Sequence, residues 1–347
     1  MKNYIKIASF ITLLVVVIIF LNKLFSPIGT YEASWFIPGA MQDMYKQQKN
    51  TIDILYVGDS NVYAGISPLE IYNNLGVTGL CVSTPRQDVI GSYYITKENF
   101  KNQDLKVVFI ETGEFFLKSD EITELGRRSE IDFLKFSKNK IDFINDKDLN
   151  LPLNDKMTYF MPVLKYHTRY DQLTEFDIRK LHNKSEMSYK GYLLEKNVVK
   201  GKNYRRNRNN NQLEDDQEIH STNLEIPEYV DKKIDDLKKL CDENNAQLVF
   251  LSMPTTDELM EEKYNILKEY AIKKNVKYLN LNFEILTPID WEKDTQDGGD
   301  HLNIYGAQKV AESISKFISD NFEISNKKEE PKYSSWNEVL EGYNSKK

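Results

Sequence analysis

The sequence has few cysteines, few histidines and no excess of positive charge. Two cysteines, Cys81 and Cys241, among 347 residues exclude a disulfide-rich scaffold and a cysteine-based zinc site. The 46 lysines and arginines are outnumbered by 53 aspartates and glutamates, and the resulting net charge of −7 argues against a dedicated nucleic-acid-binding protein. Four histidines leave few candidates for imidazole chemistry. No phosphate-binding loop or dinucleotide-binding glycine pattern is present, and we expect no cofactor.

One long apolar run lies at the N-terminus. Residues 7–22 carry no charge and are bounded by Lys6 and Lys23. As a helix from Tyr4 to Phe25 the run would extend about 30 Å, enough to cross the hydrocarbon core of a membrane. A cleaved signal peptide is the alternative, but the residues after the run are bulky where a cleavage site needs small ones.

The charges around this run predict the orientation of the chain. Two lysines and the terminal amino group precede the run, whereas a single lysine closes it. The positive-inside rule then places the main domain outside the cytoplasm. We therefore expect a single-pass protein of the cell membrane, with an anchor at 1–26 and a polar stalk at 27–50.

Strand and helix patterns alternate along the rest of the chain. Short apolar runs predict strands at 52–57, 80–82, 106–110, 247–252 and 276–281. Helical patterns occupy 68–75, 89–100, 229–243, 257–273 and 304–322. This alternation predicts an α/β domain over 51–323, a parallel sheet in three layers with helices on both faces.

Two segments stand outside this alternation. A mainly helical insertion, about 114–226, divides the domain, and its Asn- and Arg-rich run at 200–212 is typical of a mobile surface loop. A contact of that run with an anionic polymer or lipid headgroups is the alternative. We expect the polar tail, 324–347, to be poorly ordered, with Trp336 and Leu340 as the residues able to dock.

A serine follows the first predicted strand directly, in the turn Gly58-Asp59-Ser60. Ligands of open α/β sheets bind just outside the carboxyl ends of the strands, so this serine would face a cleft. Its hydroxyl is a weak nucleophile and needs a base. The same tripeptide is also an ordinary turn with a helix-capping serine.

His301 is the candidate base. It lies in Asp297-Gly-Gly-Asp-His301, after the last predicted strand and before the last helix. A carboxylate can orient an imidazole and stabilise its charged form, and both Asp297 and Asp300 are near enough in sequence. Because both segments belong to the same sheet edge, Ser60, His301 and an aspartate form a nucleophile, a base and an orienting group.

These two blocks resemble the SGNH (GDSL-type) serine hydrolases, which combine a Gly-Asp-Ser block at the first strand with a late Asp-x-x-His block. The segments GDSNVYAGISP, KVVFIETGEFF and PVLKYHTRYDQL look like a membrane-anchored branch of that family. That branch includes the D-alanyl transfer protein of lipoteichoic acid assembly and relatives that partner membrane-bound O-acyltransferases. The resemblance covers roughly residues 52–322.

The resemblance implies a flavodoxin-like sheet and a metal-free Ser-His-Asp esterase or acyltransferase. Ser60 would be the nucleophile, with its N–H in the oxyanion hole, and His301 the general base. The family has its aspartate three residues before the histidine, where this sequence has Gly298. Asp297 would need a bulge at the two glycines to reach the imidazole, and Asp300 is the second choice.

The sequence contains further candidate residues for this site. The family's oxyanion glycine and asparagine are not evident, and the candidates in their place are Asn61, Gln87 and Thr112. His167 and Arg169 either pack the insertion against the sheet or form a cleft wall that binds the acceptor or an acidic group. The acids at 290, 294, 297 and 300 lack the alternating spacing of a calcium loop, and we expect no metal.

The function implied is a membrane-anchored serine esterase or O-acyltransferase. Its substrates would be acetyl or D-alanyl groups on a cell-envelope polysaccharide or teichoic-acid-like polymer, and a membrane-bound O-acyltransferase is a candidate partner. The alternative is a weak or inactive scaffold that presents polymer or partner to such an enzyme. The unclear oxyanion residues favour the scaffold, whereas the retention of Ser60 and His301 favours the enzyme.

Overall fold

The computed structural model describes residues 2–25, 41, 43–119, 121–175, 177–178, 189–201, 224–256 and 260–347. Most of the predicted stalk and nearly all of the Asn- and Arg-rich run at 200–212 lie outside these residues. Helix α1, Lys2–Phe25, is long enough and apolar enough to cross a membrane, and the domain leaves most of its apolar side chains exposed. Helices rich in Ile, Leu and Val that leave most of these side chains exposed are typical of membrane anchors.

The described domain is built on a sheet of five parallel strands. They are β1 (Ile54–Val57), β2 (Gly79–Cys81), β3 (Val107–Glu111), β4 (Gln247–Ser252) and β5 (Lys277–Asn280). Their order is β2-β1-β3-β4-β5, and every neighbouring pair is parallel. This is the strand order of flavodoxin-type sheets, in which the direction of winding reverses between β1 and β3. The prediction of an α/β domain with a parallel sheet is confirmed.

Helices cover both faces of this sheet. They are α2 (Ser60–Gly65), α3 (Pro68–Leu75), α4 (Val89–Phe100), α9 (Glu228–Glu243), α10 (Met260–Lys274) and α11 (Ile304–Asn321). Alternate strand residues point to opposite faces, so the domain has two apolar cores. Leu55 and Val57 pack with α4 and α9, whereas Ile54 and Tyr56 pack with α11.

The insertion after β3 consists of short helices and then returns to the sheet as an extended segment. Its helices are α5 (Glu124–Ile131), α6 (Lys138–Ile144), α7 (Leu153–Phe160) and α8 (Val163–Tyr166). The returning segment, 189–201, is here called the strap. Its Lys190 carbonyl accepts a hydrogen bond from Cys81 N–H, and its Leu193 N–H donates to the Tyr63 carbonyl. The strap therefore runs along β2 and α2.

The tail is ordered, contrary to the prediction. Helix α12, Ser334–Asn344, buries the side chains of Trp336 and Tyr343. The Trp336 ring lies 5.1 Å from that of Tyr72 on α3, and the Tyr343 hydroxyl donates to Glu70 Oε1 at 3.0 Å. Trp336 docks as expected, and its burial stabilises the helix that carries it. The polar composition of the tail predicted disorder wrongly, because the burial of a few large aromatic side chains is enough to stabilise a short amphipathic helix.

Candidate active site

Ser60 is presented by a tight turn between β1 and α2. Gly58 has φ +152°, and a Cβ atom there would lie 2.4 Å from Glu111 Cβ on β3, so the turn requires glycine. Asp59 caps α2 by accepting the Asn61 N–H at 2.9 Å. Ser60 is the first residue of the helix, at the carboxyl end of β1.

The loop before α11 carries His301 and is held by its own hydrogen bonds. Thr295 and Leu302 form an isolated β-bridge, and the Gln296 N–H donates to the His301 carbonyl at 3.0 Å. Gly298, with φ +80°, lies in the left-handed region that the turn between these two arms needs. The sequence suggested a bulge at this point, and the glycine provides the additional residue without backbone strain.

The loop brings three side chains into one hydrogen-bonded chain. His301 Nε2 lies 2.7 Å from Ser60 Oγ, and His301 Nδ1 lies 2.6 Å from Asp297 Oδ2. Asp300 points elsewhere, since its carboxylate accepts hydrogen bonds from the Thr255 hydroxyl and the Thr256 N–H. Of the two aspartates considered from sequence, Asp297 is therefore the one that contacts the imidazole.

The ionisation of Asp297 fixes the direction of these hydrogen bonds. Partial burial raises the pKa of Asp297, but hydrogen bonds from Gly299 N–H and His301 outweigh burial and hold that pKa below its usual value. An ionised carboxylate only accepts, so Nδ1 of a neutral His301 carries the hydrogen and Nε2 is the acceptor. Nε2 then accepts the Ser60 hydroxyl proton, the arrangement of a nucleophile with its general base.

Part of this site is open to solvent. The side chain of His301 is 37% exposed and that of Asp297 is 45% exposed. Water therefore reaches the imidazole and the carboxylate. A charge in such a position is screened more than a buried one.

A cavity of about 330 Å³ lies beside the hydrogen-bonded chain, along the carboxyl ends of β1, β3, β4 and β5. Asp59, Asn61 and Asp300, which are sequence neighbours of Ser60 and His301, line it, although Ser60 and His301 themselves do not. Glu111 and Glu114 line its β3 side. Four carboxyl groups and one ammonium group, that of Lys263, therefore border the space next to the serine, where ligands of such sheets bind.

Burial changes the acidity of three of these carboxyl groups. It raises the pKa of Asp59, and burial together with the Asp59 charge raises the pKa of Glu111 well above its usual value. The same two causes raise the pKa of Glu114 to about 7. Glu111 Oε2 and Asn61 Oδ1 are buried without a hydrogen-bond partner among the described residues. The cavity thus offers two polar atoms to a ligand. Asn61 Oδ1 accepts a hydrogen bond, and Glu111 Oε2 donates one while it is protonated and accepts one when it is ionised.

The three oxyanion candidates occupy different positions. Asn61 lines the cavity directly after Ser60, and Thr112 lines it at the end of β3. The Thr112 hydroxyl, however, pairs with the Ser252 hydroxyl at 2.6 Å. Gln87 is absent from the lining, and its amide donates to the Val82 carbonyl and the Ser92 hydroxyl. Gln87 therefore bonds to the chain after β2 and to α4, and its role as an oxyanion donor stays a prediction.

His167 and Arg169 are also absent from the cavity lining. Arg169 donates to the Phe25 carbonyl at the end of α1 at 3.3 Å and to Asp177 Oδ1 at 2.7 Å. His167 is exposed, with Nδ1 3.2 Å from the Val163 carbonyl. Both lie where the insertion meets α1. The expectation that they pack against the sheet or form a cleft wall stays a prediction.

Two buried residues that the sequence reasoning missed position the His301 loop. The Thr295 hydroxyl contacts Asp297 Oδ1 at 3.2 Å and the His301 carbonyl at 3.0 Å, and it also accepts the Gly298 N–H. Asn303 caps α11 through its Oδ1, and its Nδ2 donates to the Asn197 carbonyl of the strap at 3.1 Å. The preference of asparagine for helix caps was the available signal for Asn303.

The other acids of the 290–300 region are held by lysines. Asp294 Oδ2 accepts from Lys309 Nζ, and Asp290 pairs with Lys293 at 3.0 Å. Among the described residues no group of three or more His, Cys, Asp or Glu side chains is arranged to hold a metal ion. The local charges are thus partly neutralised by pairs within the loop.

Comparison of the sequence with models of known protein families gives no match, and comparison with curated proteins gives no significant match. The interpretation of the site therefore depends on its own geometry and on the motifs in the sequence.

Proposed function

We propose that the protein is a membrane-anchored serine esterase or O-acyltransferase that acts on acyl groups of a cell-envelope glycopolymer. The single observation that carries the proposal is the chain Ser60 Oγ to His301 Nε2 to Asp297, with both contacts under 3 Å. The resemblance to the SGNH hydrolases supports the same roles for these residues. Their position at the carboxyl edge of the sheet is where such chemistry occurs in open α/β folds.

The proposed reaction needs no group beyond these side chains. Ser60 Oγ attacks the ester carbonyl carbon while His301 Nε2 takes the hydroxyl proton, and Asp297 stabilises the imidazolium. The Ser60 N–H, at the first turn of α2, has no partner within the helix and would face the developing oxyanion. The leaving alcohol takes the proton from His301 as the C–O bond breaks, which leaves an acyl-serine. Water or a polymer hydroxyl then attacks, with His301 again as base.

The acidic cavity favours one kind of acyl group. A D-alanyl ester carries an ammonium group, whereas an acetyl ester carries none. An ammonium next to Asp59, Glu111 and Glu114 would favour their ionised forms and donate hydrogen bonds to them. We therefore expect aminoacyl esters to react faster than acetyl esters of the same alcohol.

The exposure of the site to solvent bears on whether the acyl group is transferred to a polymer or hydrolysed. An acyl-serine beside a partly exposed imidazole meets water readily, so the isolated protein should hydrolyse its substrate. Transfer to a polymer hydroxyl requires that water be excluded, which a membrane-bound O-acyltransferase covering the cavity would do. Anchoring by α1, with the domain outside the cytoplasm, would bring the site within reach of such a partner.

A scaffold is the second candidate. The observation that favours it is that Gln87 and the Thr112 hydroxyl are engaged elsewhere, which leaves few donors for an oxyanion. Each missing donor costs on the order of 10²-fold in rate. A scaffold would present polymer or partner through the same domain without forming an acyl-serine.

The test is labelling of the full-length protein, in detergent or membranes, with a fluorophosphonate probe. Wild type and the matched control Ser319→Ala, which changes an exposed serine far along α11, should label equally. Ser60→Ala and His301→Ala should not label. Absence of labelling in folded wild type would contradict the enzyme, and a Ser60→Ala protein that still supports envelope acylation would establish the scaffold.

A separate experiment tests the location. Protease added to intact cells or spheroplasts should digest the domain. Full protection of the domain, with a cytoplasmic control protein also protected, would contradict the proposed orientation.

A further inference from the structure

The insertion contacts the last turn of α1. The Val163 N–H at the start of α8 donates to Asn22 Oδ1 at 3.1 Å, and Arg169 donates to the Phe25 carbonyl at 3.3 Å. Phe25 is buried, whereas most of the apolar side chains earlier in α1 are exposed. The insertion thus fixes the domain to the end of the helix that would leave the membrane.

This contact defines the height of the insertion relative to a bilayer. The uncharged run ends with the polar Asn22, and the charged Lys23 follows it; such residues mark the boundary between hydrocarbon and headgroups. Val163 and Arg169 bond to α1 at the same level. A bilayer that contains α1 would therefore have its headgroups beside this part of the insertion.

Apolar side chains are exposed at this level. Leu164, directly after Val163, is 47% exposed, and Tyr170, directly after Arg169, is 72% exposed. Each follows a residue that bonds to α1. An exposed leucine and tyrosine are an unfavourable choice next to water, but tyrosine is enriched at membrane interfaces because its ring is apolar and its hydroxyl polar.

We propose that residues 162–173, here called the interfacial segment, lie in the headgroup region of the bilayer that holds α1, with Leu164 and Tyr170 inserted among the lipids. The proposal depends on the membrane anchor proposed above. The occupant is lipid because the segment is continuous with the helix that the lipid surrounds. The segment gives the domain a second attachment, which fixes the tilt of the sheet and the distance of Ser60 from the membrane surface.

The test measures the depth of single side chains in lipid. Cys81 and Cys241 are both buried and free, so an introduced surface cysteine is the one that a thiol reagent reaches. Full-length Leu164→Cys and Tyr170→Cys, each labelled with an environment-sensitive fluorophore, are reconstituted in phosphatidylcholine–phosphatidylglycerol vesicles. Quenching is compared for lipids with nitroxides near the headgroup and near the chain end. Circular dichroism checks that each variant is folded.

Two control positions give the scale. Val16→Cys, in the middle of α1, should be quenched most by the deep nitroxide. Ile272→Cys, which replaces a side chain that is 74% exposed on α10, should be quenched by neither. We expect positions 164 and 170 to be quenched at least threefold more by the shallow nitroxide than position 272.

The outcomes separate this inference from the anchor. If position 16 is quenched but positions 164 and 170 behave like position 272, the inference is overturned and the anchor is retained. The exposed side chains at 164 and 170 would then be candidates for a contact with another protein. If position 16 is not quenched either, the anchor and the interfacial segment both fail. The fluorophosphonate result at Ser60 is independent of each of these outcomes.

Discussion

Replacement of Asp297 by asparagine tests the proposed site most directly, because the exchange changes one charge and almost no volume. Asp297 Oδ1 already accepts the Gly299 N–H at 2.9 Å and a hydrogen bond from Thr295. In Asp297→Asn the amide oxygen should stay on that side, so the amide NH₂ would face His301 Nδ1. Nδ1 would then have to accept, and the ring hydrogen would move to Nε2. A protonated Nε2 cannot take the proton of Ser60.

The size of the loss follows from the exposure of the pair. Charge centres about 4 Å apart attract by about 1 kcal/mol in water and by about 4 kcal/mol at the effective dielectric constant near a protein surface. Loss of that stabilisation of the imidazolium slows the reaction between about 5-fold and 10³-fold. Where the carboxylate of such a triad is fully buried, the same exchange costs about 10⁴-fold through the wrong tautomer. Because Asp297 is 45% exposed, we expect a loss of about 10²- to 10³-fold.

The assay is the second-order rate constant of fluorophosphonate labelling at pH 7, measured on the full chain. Asp300→Asn is the matched control, because it makes the same chemical change one residue from His301. Asp300 bonds to Thr255 and Thr256 rather than to the imidazole, so its exchange should cost less than tenfold. The reasoning is refuted if Asp297→Asn labels within threefold of wild type, or if Asp300→Asn loses more.

Three further predictions follow from described contacts. Thr295→Val should slow labelling about tenfold, because the hydroxyl that orders the His301 loop contributes about 1 kcal/mol per hydrogen bond. Thr295→Ser keeps the hydroxyl and should restore most of the rate. An unchanged rate in the valine variant would exclude a positioning role. The raised pKa of Glu114, about 7, means that the folded protein binds a proton that the unfolded chain releases near pH 4, so stability should fall as pH rises from about 4 to 7 and then level off. Glu114→Gln should flatten that decline by up to about 3 kcal/mol in denaturant titrations at several pH values, and an unchanged pH profile would contradict the assignment. Trp336→Ala should lower the free energy of unfolding by about 3–5 kcal/mol, whereas the exposed Glu338→Ala should change it by less than about 0.5 kcal/mol, and equal effects would show that α12 is not part of the core.

The fold could be predicted largely from local pattern. The bounds of β4 match the predicted 247–252, because the apolar run at 248–251 is bounded by a polar residue on each side. The other strands begin or end one or two residues from their predicted bounds, since pairing with neighbours, not composition, sets where a ladder stops. The proximity of Ser60 and His301 also follows from topology, because the carboxyl ends of parallel strands share one edge. Their catalytic roles stay a prediction.

The features that could not be predicted from the sequence depend on contacts between residues that are distant in the chain. The distinction between Asp297 and Asp300 depends on the left-handed conformation of Gly298, and spacing alone left both open. Arg169 carried an apparent anion-binding signal, but its partners are Asp177 and the Phe25 carbonyl. Trp336 packs against Tyr72, which lies more than 260 positions earlier in the chain, and no local sequence pattern predicts such a contact.

The position of α12 determines when this domain is able to fold. Its Trp336 and Tyr343 complete the same apolar core as Tyr72 on α3, and Tyr343 bonds to Glu70. With the domain outside the cytoplasm, as proposed, the chain crosses the membrane from α1 onward, and α3 emerges long before α12. The N-terminal half of the domain then stays attached to the membrane, with its apolar core incompletely packed, until residues 334–344 have crossed the membrane. A chain stopped before α12 would keep its anchor, its serine and its histidine, yet expose unfolded segments to the proteases of the cell envelope. If the domain lies outside the cytoplasm, export of residues 334–344 would be the step that makes it resistant to these proteases.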